Sequence, residues 1–581
     1  MGVDGVVGIN VIALLFVVLA LLLLTCGLLL AMLLLSDRLW FVELYGWWLV
    51  PRSPMVVPDY RVLLLRFVNG FVCHNLRRFF RVSCATMFEI FVALSSSRFN
   101  IFFILLDVSV SSLMVVSFQR CDLGDMDTRI CRVMGSFARL LLLSFRVLNL
   151  DNSLVVPVPR LVEHMFKFPF LSASEVSVED LHQYVGYYKL PHTKDAMMFY
   201  FFFESRNSKN DPLVLWLTGG PGASGSIALF YENGPFHITD ELTLTPNEYS
   251  WNNMSNIIYV DQPTGTGFSY TTNDDDIRND TIGVSNDLYD FLQEFLDAHP
   301  DMVSNEFFIT GESYAGHFSP SLAARIFRGN TEEEGIPINL QGFAIGNGLT
   351  NPRIQYLSLT DYAWHNKLII ENDYHSIQSE AAPECESFAR NCDMGVPNTC
   401  HTAFFYCQDI FMTIVNIAGN INSYDIRIDR HGASDYDFSK LERFMNLQSV
   451  KNALGVNKQF ALKNETVYGR MLGDYMKSFD ADIPALLENG IKALIYAGDK
   501  DLTCNWLGNL RWLHEMKWLG QREFIKAPVV DFKVDNITAG LMTSHGSLTF
   551  IKVKNAGHMV PMDQPKVAFH MIKNWMQDEL E

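Results

Sequence analysis

No lysine occurs before Lys167 in this 581-residue chain, although arginine is frequent there. Residues 1–166 hold 14 arginines against 11 acids, a net of +3, and the whole chain carries −19, which leaves −22 for the remainder. So acidic a body argues against nucleic-acid binding and suits a soluble protein of an acidic compartment. Charge of either sign is missing from Val11 to Leu35, a run of 25 residues. A membrane helix needs about 20 apolar residues and a signal-peptide core about 7–15, so the length favours an anchor or a long uncleaved signal. A second apolar stretch, Ile101 to Phe118, is broken only by Asp107, and eight arginines lie between the two, from Arg38 to Arg98. Such a basic linker faces the cytosol in a membrane protein. Two spans would then return the body to the lumen, making membrane association an expectation. The competing expectation is that much of residues 1–135 is a misread gene start.

What the chain does hold is GESYAGHFSP, Gly311 to Pro320. A serine stands between small residues, after an apolar strand-like run (EFFIT, Glu306 to Thr310) and before a helix-like one (SLAARIF, Ser321 to Phe327). A sharp strand-to-helix turn of this kind lifts a hydroxyl above a sheet. Ala315 and Gly316 follow, so the pattern is not a strict G-x-S-x-G. Alone it would also suit a helix-capping serine.

A neutral hydroxyl is a poor nucleophile and needs a histidine base, itself oriented by a carboxylate. The chain offers both in the order Ser, Asp, His, each after a strand-like run. IKALIYAGDKDLTCNWLGN (Ile491 to Asn509) ends a buried run at Asp499, Lys500 and Asp501, and LTFIKVKNAGHMVPMDQP (Leu548 to Pro565) ends one at His558. PLVLWLTGGPGAS (Pro212 to Ser224) runs into a glycine-rich loop whose backbone can approach a developing oxyanion. It lacks the Gly-Lys-[Ser/Thr] ending of a phosphate loop. The second oxyanion donor is expected to be the N–H after the serine, that of Tyr314.

Together WLTGGPG (Trp216 to Gly222), ALFYENGPF (Ala228 to Phe236), IYVDQPTGTGFSY (Ile258 to Tyr270), GVSNDLYDFL (Gly283 to Leu292), GESYAGH, GFAIGNGLTNP (Gly342 to Pro352), YAGDKDLTCNWLGN (Tyr496 to Asn509) and AGHMVPMDQP (Ala556 to Pro565) resemble the serine carboxypeptidase family, in its plant type III branch. The resemblance covers roughly Val162 to the C-terminus. It implies an α/β-hydrolase fold with a mainly helical cap, and Ser313 as nucleophile, Asp501 as orienting carboxylate and His558 as base. Gly220 and Tyr314 would supply the oxyanion N–H groups. Glu232 and Glu312 match the pair that recognises a substrate's terminal carboxylate, and Trp216, Thr218 and Gly219 match the rest of that subsite. Many relatives carry Asn at the position of Thr218, and Thr keeps only a hydroxyl. Protonated glutamates can donate to a carboxylate, so binding should favour acid pH. The partners implied are peptide or protein C-termini, with no metal or organic cofactor. Plant acyltransferases and esterases on this fold use the same triad. They usually have Asp beside the serine, so Glu312 favours the peptidase. A catalytically impaired binding homologue is the other alternative.

Ten cysteines fall in two sets, five from Cys26 to Cys131 and five from Cys385 to Cys504. The spacing of Cys385, Cys392, Cys400 and Cys407 leaves three connectivities open, and is wider than usual for structural zinc. The resemblance implies Cys385–Cys407 around Cys392–Cys400, with Cys504 an unpaired thiol by the pocket. Disulfides imply a secretory route, to vacuole or exterior. Sequons at Asn253, Asn279, Asn464 and Asn536 fit that route. Relatives usually have cystine where this chain has Ala223 and Lys463, and another near Arg430 and Asp435. The expected organisation is an atypical N-terminal region (1–135), a propeptide-like segment (136–161), core (162–350), cap (351–447) and core (448–581).

Overall fold

The computed structural model describes residues 161–171, 182–430 and 435–580. The expected membrane spans, and most of the propeptide-like segment, lie outside these residues. Among the described residues no helix is long and apolar enough to cross a membrane.

The strands in chain order are β1 (Leu161–Met165), β2 (Gln183–Lys189), β3 (Met197–Phe203), β4 (Leu213–Leu217), β5 (Phe236–Ile238), β6 (Leu244–Pro246), β7 (Asn256–Asp261), β8 (Phe307–Glu312), β9 (Leu340–Gly346), β10 (Ile421–Asn422), β11 (Asp425–Asp429), β12 (Lys492–Gly498), β13 (Val530–Val534), β14 (Ile537–His545) and β15 (Leu548–Val553). Eleven form one sheet in the order β1-β2-β3-β7-β4-β8-β9-β12-β15-β14-β13. The six from β7 to β15 run parallel, and the outer pairs are antiparallel. Parallel strands covered on both faces read as unbroken apolar runs. LVLWL of β4 and NIIYVD of β7 are buried at every residue. Alternation still decides which face each side chain meets. Leu213, Leu215 and Leu217 pack with Leu288, Phe291, Phe318 and Leu322 of two helices, Thr281–Ala298 and Ala315–Thr331. Val214 and Trp216 pack on the other side with Met571, Ile572 and Trp575 of the helix Pro565–Met576.

The chain leaves the sheet after β9 and rejoins it at β12. In between, four helices (Pro352–His365, Glu371–Ser379, Ala381–Asp393 and Thr399–Ala418) build a helical layer. Two disulfides, Cys385–Cys407 and Cys392–Cys400, hold its last two helices together. The β10–β11 hairpin follows. From Leu441 the chain packs back onto the second core face through Leu441, Phe444, Val450 and Leu454. A parallel-centred sheet clad in helices, with a helical insertion over one end, is an α/β-hydrolase fold.

Candidate active site

β8, β12 and β15 each end at the same edge of the sheet, and the loops beyond them carry Ser313, Asp501 and His558. Ser313 has φ 62°, a left-handed conformation that L-residues adopt at a cost. The turn is held from both sides: Ser313 N donates to Gly346 O at 3.1 Å, and Ser313 O accepts from Leu349 N at 2.9 Å. Close approach demands glycine beside it. A Cβ on Gly219 would lie 2.4 Å from Tyr314 N and 2.9 Å from Ser313 Cβ. The glycine loop therefore rests directly on the turn, bringing the Gly219–Gly220 backbone and the Tyr314 N–H together. Gly220 has φ 108° and Gly222 φ 89°, both open only to glycine at low cost.

His558 is buried, and its Nδ1 lies 2.8 Å from Asp501 Oδ2. Asp501 is fully buried and accepts three further hydrogen bonds, from Asn347 Nδ2 (2.8 Å), Thr503 N (2.9 Å) and Cys504 N (3.1 Å). Four hydrogen-bond partners fix the position of this carboxylate, which suits it to orienting the imidazole. Burial pushes the Cys504 thiol well up, so it stays protonated and is a poor nucleophile.

The β10–β11 hairpin grips both loops. His558 N donates to Tyr424 O at 2.7 Å, and the Tyr424 ring lies 4.5 Å from the imidazole. Leu502 N and Thr503 N both donate to Ser423 O. Arg427 pairs with Asp425 (2.5 Å) and Asp563 (3.4 Å), and Asp563 accepts from Gly557 N. At the foot of the hairpin Arg430 Nε lies 3.3 Å from Asp435 Oδ1, an ion pair where relatives are expected to carry cystine. Asp435 also accepts from Ser423 N and Oγ.

Glu312 precedes Ser313 and Glu232 lies on the helical turn Ala228–Glu232. Both are buried and share a hydrogen bond. Burial first, then mutual repulsion, hold Glu312 well above the carboxylate range; burial also raises Glu232. Among the described residues both Oε2 atoms are buried without a partner. Trp216 donates its indole N–H to Thr218 Oγ1 at 3.0 Å, which leaves the threonine O–H free to donate onward. Gln262 fixes the Thr218 carbonyl at 2.9 Å.

Asn279 and Asn536 of the sequons are exposed. Asn253 is partly covered. Asn464 is committed inward: it caps the helix Glu465–Met471 and donates from Nδ2 to Gly265 O. A donor so engaged is a poor glycan attachment point. Sequence reasoning missed Asn347, Tyr424, Asp563 and Gln262. Asn347 and Gln262 stand in quoted motifs (GFAIGNGLTNP and IYVDQPTGTGFSY), so a buried amide amid glycines was the available signal.

The sequence matches the family model for serine carboxypeptidase over residues 174–578. Serine carboxypeptidase-like 48 of Arabidopsis thaliana is 53% identical over 430 residues, covering 73% of this chain and 84% of that protein. Serine carboxypeptidase 3 of Hordeum vulgare is 53% identical over 405 residues, covering 70% and 80%. Among solved structures, the prohormone-processing carboxypeptidase Kex1 of Saccharomyces cerevisiae is similar at a TM-score of 0.66 and 25% identity, over 71% of this chain and 96% of that one. With a serine turn, an aspartate and a histidine at one edge of such a sheet, the chain belongs to the serine carboxypeptidase family.

Proposed function

We propose that this protein is an active serine carboxypeptidase that removes the last residue of peptides and proteins and works best at acid pH. The observation that carries this reading is the buried Glu232–Glu312 pair beside the serine, with an unpartnered oxygen on each. An esterase has no use for two raised carboxyls there. A substrate's terminal carboxylate would accept hydrogen bonds from them while they stay protonated.

Ser313 Oγ attacks the carbonyl carbon of the last peptide bond while its proton passes to His558. The oxyanion is met by the N–H groups of Gly220 and Tyr314. The C–N bond breaks as His558 returns the proton to the leaving amine, giving an acyl-ester on Ser313. Water, deprotonated by the same histidine, then frees the enzyme. Two disulfides support an oxidising, secretory route, and the exposed Asn279 and Asn536 suit glycosylation.

The test is release of the C-terminal amino acid from an N-blocked dipeptide between acid and neutral pH. Ser313→Ala should cost about 10⁴-fold or more in kcat. As pH rises the glutamates lose their protons and repel the substrate carboxylate, so KM should climb. In Glu312→Gln, which cannot ionise, that climb should flatten. Folded protein that releases nothing would overturn the reading.

A further inference from the structure

The segment Leu462–Asn464 runs antiparallel to the loop that carries the oxyanion glycines. Asn464 N donates to Gly222 O and Ser224 N to Leu462 O, both at 3.0 Å, and these bonds flank the bridge between Ala223 and Lys463. Facing residues flanked in this way form the close type of antiparallel pair, with side chains on one face and Cα atoms about 4.5 Å apart. Relatives are expected to use that proximity for cystine. Here it sets a lysine stem against a methyl group, one residue from Gly222.

The ammonium has a defined seat. Lys463 Nζ lies 4.4 Å from the centre of the Tyr468 ring. Tyr468 is 6.2 Å from Tyr475, and Tyr475 is 5.2 Å from Tyr314, whose N–H is the second oxyanion donor. An aromatic wall thus runs from the nucleophile's neighbour to this cation. Its counter-ion is weak: Glu465 lies 3.5 Å away with its side chain 78% exposed, where water screens the pair. Lys458, the other lysine of this region, is spent on the carbonyls of Gly265, Gly267 and Ser269.

On the carboxypeptidase reading, the leaving residue lies along this loop, its α-carboxylate at the glutamate pair and its scissile carbonyl at Gly220 and Tyr314. We propose that Lys463 is a specificity-determining residue that favours an acidic side chain on the leaving residue and disfavours a basic one. Lys463 faces Ala223, three residues beyond Gly220, which sets its side chain beside the stretch of loop that the leaving residue would follow. The ring beneath it fixes its position without neutralising its charge.

The test is kcat/KM at pH 5 for four N-blocked dipeptides with penultimate Phe and terminal Glu, Gln, Leu or Lys. The unmodified chain is compared with Lys463→Met and Lys463→Glu. Glu should be preferred over its neutral isostere Gln by about 3–10-fold, the range of a partly screened charge pair. The ratio should fall to near one in Lys463→Met and invert in Lys463→Glu. Added salt should also shrink it. Each ratio is taken on one protein, so a general folding defect cancels. A ratio near one in the unmodified chain, or one unmoved by Lys463→Met, overturns the inference while leaving the peptidase standing. So does Glu/Gln discrimination that appears at the penultimate residue instead. If none of the four is cleaved, the peptidase reading itself fails and the inference falls with it.

Discussion

His317 lies against the turn that holds Ser313. Its ring stacks 4.3 Å from Tyr314, and its Nδ1–H donates to Leu349 O, while Leu349 N holds the Ser313 carbonyl. Burial pushes this histidine down to about 4. The unfolded chain takes up the proton at about 6.5, so between those values it binds more protons than the folded one. The stability due to neutral His317 is therefore full above pH 6.5 and is lost as pH falls toward 4, by about 3 kcal/mol. His317→Asn removes the titration and can keep the donor to Leu349. Its melting temperature should start below that of the unmodified protein at pH 7 and fall less steeply between pH 6.5 and 4. Parallel curves would contradict this. The role of His317 was hidden in the sequence, where it is merely the last letter of GESYAGH, because its partner Leu349 comes from the loop after β9.

The hairpin β10–β11 shows what an element adds. It carries none of the three residues of the proposed triad, yet it supplies carbonyls to both the Asp501 and the His558 loops. Arg427, held within the hairpin by Asp425, ties it to the second of these through Asp563 and Asn555 O. Removing one member of a half-buried ionic cluster leaves the others unmatched. Arg427→Ala should lower kcat about 10-fold or more, through a displaced His558, with a smaller effect on KM. Equal losses in kcat and binding, measured on a blocked dipeptide, would place the effect elsewhere. The strands β4, β8, β12 and β15 were legible because buried parallel strands read as apolar runs ending in glycine or acid. The hairpin was not, because INSYDIRID is short and polar and earns its place only through backbone contacts.

At the scale of the whole molecule, residues from Pro157 onward form a compact unit with their own contacts. Phe166 and Phe168 are buried in it, and Glu163 accepts from the Tyr200 hydroxyl. A chain beginning at Pro157 should therefore melt cooperatively and keep kcat/KM within about 3-fold of the full chain once oxidised. A truncated chain that aggregates would show that the N-terminal region is needed for folding. The sequence outlined this body because its motifs sit on strand ends. It put the end of the cap at 447, while Leu441 and Phe444, inside that bound, pack with the core through contacts to residues distant in sequence.

Ser313, Asp501 and His558 come from loops far apart in the chain, and the last of them follows the final parallel strand, β15. A chain still being synthesised can fold its hairpins and its first strands, but His558, the proposed base, is not in place until β15 has emerged and docked. On the proposed reading, the nascent chain is therefore inert throughout its own translation, and any chain cut short before Gly557 lacks the means to cleave the proteins around it.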